Sequence, residues 1–126
     1  MLNDTVIANL QKAREIITPE DKWCAGLRWR NTGSGYAHCA LGAIEAAQGN
    51  HRENQAESCD PEVVALAAAI PAKEKRKTVQ DGYSWRASYP NDCHVAQYNN
   101  RSDHKTVLAW FDRAIEHLKR YPMEVA

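Results

Sequence analysis

Cys39 has the position in this sequence that best suits nucleophilic chemistry. It follows a glycine-rich stretch, at the predicted start of a helix, where the positive end of the helix dipole lowers the pKa of a thiol. His94 and Asn99 follow in the chain order of a cysteine hydrolase or transferase, as base and orienting group. Order alone does not make a triad, so the enzyme is kept as an alternative. The favoured interpretation of Cys39 is a small buried thiol.

Metal binding is the second chemistry that the residue types allow. Seven residues of the kinds that ligate metals are Cys24, His38, Cys39, His51, Cys59, Cys93 and His94. Structural zinc sites draw on close pairs such as Cys-x-x-Cys, and this sequence has no such pair. We therefore predict no metal and no other cofactor. The four cysteines, without a secretory signal, favour free thiols in the cytoplasm.

Nucleic-acid binding is suggested by a basic run that contains Lys75, Arg76 and Lys77 and precedes several aromatic residues. Basic side chains neutralise phosphates, and exposed rings stack on unpaired bases, so single-stranded RNA is a possible ligand of this region. The zero net charge and the lack of a known RNA-recognition motif argue against it. RNA binding therefore stays an alternative.

Protein binding is the function that the sequence favours. Trp, Tyr and Arg dominate interface hot spots. They are concentrated in two segments that are predicted to be loops, and the candidate binding residues there are Trp29, Arg30, Tyr83, Trp85, Arg86, Tyr98 and Arg101. We predict a non-enzymatic accessory protein that binds a protein complex, acts in the cytoplasm and does not associate with a membrane.

The elements that must position these residues are mainly helices. Apolar residues at helical spacing predict a first helix through Ile17 and a last helix capped by Ser102, and small residues mark helices over 37–48 and 63–70. Gly33 and Gly35 suggest a short hairpin. Turn and breaker residues predict an irregular segment over about 73–102, with a short extended stretch over 93–98. The prediction is a single domain over 1–126 with four or five helices.

The composition agrees with a small, closely packed domain. The chain has 126 residues, 16 basic against 16 acidic, and its hydrophobic fraction of 44% includes 19 alanines. Leu, Ile, Val and Phe together number only 21, so aromatic rings must supply much of the bulky apolar surface. No apolar run approaches the roughly 20 residues that span a membrane.

Two segments together resemble a family of small uncharacterised proteins of bacteria and their phages. The first combines Trp23 with the run Cys39-Ala40-Leu41-Gly42-Ala43, and the second is Asn99-Asn100 followed by the C-terminal helix. The family usually has Asn-Asp where this chain has Asn99-Asn100. The resemblance implies a helical protein of a bacterium or phage, and suggests an inhibitor of a host defence complex as a specific form of the binding function.

Overall fold

The computed structural model describes residues 2–33, 35–49, 60–78 and 91–122. The elements in chain order are α1 (Leu2–Ile17), a 3₁₀ turn (Glu20–Lys22), β1 (Trp29–Asn31), β2 (Tyr36–His38), α2 (Ala40–Ala47), α3 (Pro61–Ala68), α4 (Ala72–Thr78), α5 (Asn91–Arg101) and α6 (His104–Arg120). The mainly α prediction and its short hairpin are confirmed.

The two long helices, α1 and α6, form one side of the core. On α1 the residues predicted to face inward, Val6, Leu10, Ala13 and Ile17, are fully buried. The predicted apolar stripe of α6 is buried as well, and α1 packs against both α6 and α2. The Arg14 Nε of α1 donates to Asp112 Oδ1 of α6 at 2.6 Å across the surface of this pair. Hydrophobic periodicity was therefore a sufficient guide to these two helices.

The small-residue helices α2 and α3 lie against aromatic side chains of the core. Trp110 is fully buried, and its indole Nε1 donates to the Leu66 carbonyl of α3 at 2.8 Å. The ring of Tyr98 meets that indole edge-on at 4.8 Å between centroids. The alanine-rich helices thus leave space that large rings fill, as the composition required.

The hairpin is a two-stranded antiparallel sheet in which Trp29 pairs with His38 and Asn31 with Tyr36. Its base is fastened to the preceding segment, because Trp23 and His38 form a parallel bridge and Cys24 N–H donates to the His38 carbonyl at 3.0 Å. On the other side, Cys39 N–H donates to the Arg28 carbonyl at 3.0 Å and so joins the end of β2 to the residue before β1. β2 is therefore held from both flanks.

The prediction of an irregular segment over 73–102 is wrong where the structure describes it. α4 and α5 are helical there, which makes six α-helices in the described ranges. The buried face of α5 consists of His94, Val95, Tyr98 and Asn99, so only two of its four members are the apolar or aromatic residues that a periodicity search detects. The predicted extended stretch over 93–98 is part of this helix. Residues 79–90 lie outside the described ranges.

Two predicted boundaries are corrected by hydrogen bonds. The N-cap of α6 is Asp103, whose Oδ1 accepts from Thr106 N–H at 2.8 Å, and this bond lowers the pKa of the carboxyl. Ser102 instead donates to the Tyr98 carbonyl at 2.6 Å. The helix predicted over 37–48 begins at Ala40, because residues 36–38 belong to β2.

Candidate functional site

Asn99 is the centre of a buried polar cluster that we call the Asn99 junction, formed by Trp23, Cys24, Ala40, Asn99 and Asn100. The Asn99 side chain is fully buried, and its Oδ1 accepts from the Trp23 indole at 2.9 Å and from Ala40 N–H at 3.1 Å. Its Nδ2 donates to the Cys24 carbonyl at 3.2 Å. One carboxamide thus joins α5 to the start of α2 and to the segment before the hairpin.

Asn100 uses only its side-chain oxygen in the bonds that the structure gives it. Asn100 Oδ1 accepts from Gly26 N–H at 2.7 Å and from Asn99 Nδ2 at 3.3 Å. Both partners are N–H donors, so a carboxylate would satisfy them equally well or better. An Asn or an Asp at position 100 could therefore make both contacts.

Cys39 is the N-cap of α2, as its predicted place at the start of a helix implied. Its Sγ accepts from Gly42 N–H at 3.5 Å, and only 4% of the residue is exposed. Burial raises the pKa of the thiol to about 11, although hydrogen bonds from the backbone of Gly42 and Leu41 lower it. The cost of burying a thiolate thus exceeds the effect of the helix N-terminus, and the thiol is protonated at neutral pH.

The other two residues of the proposed cysteine-hydrolase set, His94 and Asn99, are also buried in the fold. The Asn99 carboxamide is hydrogen-bonded to the Trp23 indole and to the backbones of Ala40 and Cys24. His94 is buried in α5, and burial together with the positive charge of Lys75 lowers the pKa of its imidazole. Cys39 and Asn99 do come together at the start of α2, but both serve there as hydrogen-bond partners of the backbone.

Gly42 explains how the hairpin can lie directly on α2. A Cβ atom at this position would overlap the backbone carbonyl of Arg28, which cannot move like a side chain. The Arg28 guanidinium is held on the same helix by Glu45, with Nη1 and Oε1 3.0 Å apart. The close backbone approach to this small-residue helix is therefore made by the segment just before β1.

A cleft of about 190 Å³ opens beside these residues. Its walls are formed by Gly26, Leu27, Arg28, Cys39, Leu41, Asp92, Cys93, Ala96 and Asn100. Burial and the nearby Asp92 carboxylate raise the pKa of the Cys93 thiol, so both thiols of the cleft are weak nucleophiles. In the described part of the chain no three His, Cys, Asp or Glu side chains are grouped so that they could hold a metal ion.

In the described ranges, most of the large exposed apolar side chains lie on the hairpin or just before it. We call them the aromatic hairpin surface, formed by Trp29 and Tyr36 with Leu27 exposed in the same segment. Leu27 is 58% exposed, Trp29 37% and Tyr36 40%. Within the described ranges, Tyr121 is the one other large apolar residue that is exposed. The Trp29 and Tyr36 rings meet edge-to-face at 5.5 Å, an arrangement that holds each ring in place.

The charge around this surface has one sign. From 22 to 44 the sequence has Lys22, Arg28 and Arg30 and no Asp or Glu. Arg28 is paired with Glu45, whereas Arg30 is exposed on β1. Arg30 is paired with Ala37, so it lies on the face of the ribbon opposite to the Trp29 and Tyr36 rings. The segment around the rings is therefore positively charged, with Arg30 on its other face.

The other predicted binding residues do not share this surface in the described structure. Tyr98 is 6% exposed and packs on Trp110, so it belongs to the core and cannot reach a partner. Arg101 is exposed at the end of α5. The predicted residues Tyr83, Trp85 and Arg86 lie outside the described residues.

The residues of the RNA alternative are only partly described. Lys75 and Arg76 belong to α4, where Arg76 is exposed and Lys75 half-buried. The side chain of Lys77 lies outside the described residues. The helix therefore presents Arg76 to solvent, whereas Tyr98 on the neighbouring α5 is buried and cannot stack on a base.

Sequence reasoning missed three features of the site. Neither Leu27 nor Tyr36 was among the predicted binding residues, although an apolar residue just after Gly26 and before two arginines is a signal of an exposed loop residue. The structural role of Asn99 was also missed. A polar residue one turn after Val95 and next to Tyr98 on a helix face could have indicated it, because a buried amide must find hydrogen-bond partners.

Within the described residues, no helix is long and apolar enough to cross a membrane.

The comparisons with known proteins give one match. No curated protein and no solved structure matches the chain. The model of a family of unknown function, DUF6197, matches residues 1–117, which include the whole Asn99 junction and the aromatic hairpin surface. The chain therefore belongs to the DUF6197 family.

Proposed function

We propose that this protein acts by binding a protein partner through the aromatic hairpin surface. The observation that carries the proposal is the concentration of exposed apolar side chains, since Leu27, Trp29 and Tyr36 are exposed within one short segment. Isolated exposed apolar residues are ordinary, but two exposed rings in direct contact, with a further exposed apolar residue in the same segment, are typical of an interface. In contrast, the residues of the Asn99 junction are occupied in holding the fold.

The arrangement of the surface supports tight binding. Trp29 and Tyr36 are fixed by their edge-to-face contact and by the pairing of β1 with β2. Side chains that are already ordered lose little conformational entropy when a partner binds. Arg30 adds a charge that an acidic group of a partner would pair with, and it would increase the rate of association with an acidic surface.

The proposal also covers the compartment in which the protein acts and the kind of protein complex that it binds. The cysteines that the structure describes, Cys24, Cys39 and Cys93, are free thiols, which supports the cytoplasm as the compartment. The resemblance to small proteins of bacteria and phages supports the specific form in which the protein is a phage or mobile-element inhibitor of a host defence complex. Burial keeps the Cys39 thiol protonated at neutral pH, which argues against the hydrolase alternative.

The test uses the full chain as immobilised bait in a nuclease-treated lysate of the organism that encodes it. The variant W29S/Y36S removes both rings, and Tyr121→Ser is the matched control because Tyr121 is 65% exposed elsewhere. We expect wild type and the control to retain the same proteins and W29S/Y36S to lose them. All three chains should be folded by circular dichroism, with W29S/Y36S less stable by about 0.5–1.5 kcal/mol because it loses one ring pair. Identical retention by W29S/Y36S would refute the proposal. Retention from an untreated lysate that is lost from the nuclease-treated one would favour RNA instead.

A further inference from the structure

Cys24 and Cys39 lie on two neighbouring chain segments at equivalent positions. Trp23 and His38 form a parallel bridge, and each cysteine is the next residue in its segment. Cys24 N–H donates to the His38 carbonyl at 3.0 Å, and this bond joins the two segments at the bridge, next to the cysteines. Equivalent positions on neighbouring parallel segments have their side chains on the same face. Both cysteines are buried, with 3% and 4% exposed.

The Asn99 carboxamide shows independently how close these segments are. Its nitrogen donates to the Cys24 carbonyl at 3.2 Å, and its oxygen accepts from the N–H of Ala40, next to Cys39, at 3.1 Å. A single amide group therefore spans the gap. Adjacent extended segments lie about 4.8 Å apart, within the range of Cα separations that a disulfide joins.

We propose that Cys24 and Cys39 form a dithiol that low-molecular-weight disulfides oxidise to an intramolecular disulfide at the base of the hairpin. The Cys24 thiolate attacks a sulfur of glutathione disulfide, forms a mixed disulfide and releases one glutathione thiolate. Cys39, as thiolate, then attacks the Cys24 sulfur, so the Cys24–Cys39 bond forms and the second glutathione leaves. The two cysteine protons pass to the two glutathione thiolates, and two electrons reduce the glutathione disulfide.

The bond would enclose residues 25–38, which contain all of β1 and β2. Two backbone bonds already close this loop, from Cys24 N–H to the His38 carbonyl and from Cys39 N–H to the Arg28 carbonyl. A covalent bond at the same place would restrict the unfolded chain and stabilise the hairpin in the folded one. The modification does not depend on which partner the hairpin binds.

The pKa values of the two thiols affect the rate of this exchange. Burial raises both pKa values, and the positive charge of Arg30 partly offsets the effect at Cys24. Because Arg30 favours the Cys24 thiolate, we assign Cys24 as the first attacking thiol. The competitor for Cys39 is Cys93, because both line the same cleft.

The test brings the full native chain to equilibrium in glutathione buffer at about pH 8, where exchange is faster than at neutral pH. The free thiols are then alkylated and the chain is digested with trypsin. Arg28, Arg52 and Lys73 separate the four cysteines, so each is on its own tryptic peptide. We expect one dominant linked pair, Cys24 with Cys39, and a higher urea midpoint for the oxidised chain that dithiothreitol reverses.

Matched variants distinguish this pair from others. Cys24→Ser and Cys39→Ser should abolish the link, whereas Cys93→Ser and Cys59→Ser should leave its yield unchanged. A dominant Cys39–Cys93 link, or no intramolecular link until the chain is denatured, would overturn the proposal. So would a Cys24–Cys39 link that failed to raise the urea midpoint, because it would require a distorted hairpin base. Wild-type peptide masses decide the pairing even if a serine variant does not fold.

Discussion

Replacing Asn99 by alanine should remove the main polar connection between α5, α2 and the hairpin. The substitution leaves three groups without their partner: the Trp23 indole N–H, the Ala40 N–H and the Cys24 carbonyl. Trp23 is half-buried, so water can reach its indole, but the Asn99 side chain and Ala40 are fully buried. Most of the lost stability should therefore come from the unpaired Ala40 N–H and Cys24 carbonyl.

The expected cost follows from those two backbone groups. An unsatisfied buried donor or acceptor costs about 1–3 kcal/mol, so Asn99→Ala should lower the free energy of unfolding by about 2–6 kcal/mol. Domains of this kind are stable by about 5–15 kcal/mol, so the variant would lose a large part of the total. The corresponding fall in Tm is on the order of 10 °C.

The assay is urea unfolding followed by circular dichroism, with Asn100→Ala as the matched control in the same motif. The control loses the bonds to Gly26 and Asn99 on an exposed residue and should cost about 1 kcal/mol. Asn99→Asp keeps the acceptor but loses the donor to Cys24, so it should be destabilised as well. Trp23→Phe combined with Asn99→Ala should be non-additive, because the two side chains share one bond.

The reasoning would be refuted by a loss below about 1 kcal/mol for Asn99→Ala, since that is the lower limit for a single unsatisfied group. Strict additivity with Trp23→Phe would refute the shared bond. Either result would mean that the Asn99 junction does not hold the fold, and its residues would again be candidates for chemistry.

Three further predictions concern single side chains. Asn100→Asp should keep or raise the Tm at neutral pH, because Gly26 N–H donates to this side chain, and the effect should disappear as acid protonates the carboxylate. Gly42→Ala should lower the free energy of unfolding in urea by about 1–3 kcal/mol despite the higher helix propensity of Ala, because the new Cβ meets the Arg28 carbonyl. Burial raises the pKa of Glu62, so the folded chain binds its proton more tightly and stability falls as pH rises from the ordinary value through the raised one. Glu62→Gln should remove that step and raise the urea midpoint at pH 7; an unchanged pH dependence would contradict the assignment.

The structure separates residues that hold the fold from residues that are available to a partner. The motif residues Trp23, Gly42 and Asn99 make buried contacts between elements. The exposed rings of Trp29 and Tyr36 make no such contribution to the core. Variants of the first group should therefore lower stability strongly, and variants of the second should reduce binding with only a small loss of stability.

The sequence alone determined the features that depend on local pattern. α1 and α6 follow from apolar residues at helical spacing, and the start of α2 near Cys39 follows from the glycine-rich stretch before it. Trp29 and Arg30 were correctly placed in a hairpin segment, and the structure shows both exposed. Local periodicity and turn chemistry are sufficient for such features because neighbours in the chain decide them.

Only the tertiary structure decided what depends on contacts between distant residues. α5 escaped prediction because its buried face includes His94 and Asn99, whose polar atoms are acceptable inside only when another segment supplies hydrogen-bond partners. The same long-range burial raised the pKa of Cys39, whereas its position at a helix start alone favoured the thiolate. Tyr98, a predicted binding residue, became part of the core because Trp110 lies against it. Burial by distant segments sets the free energy of a polar group, and that burial exists only once the chain has folded.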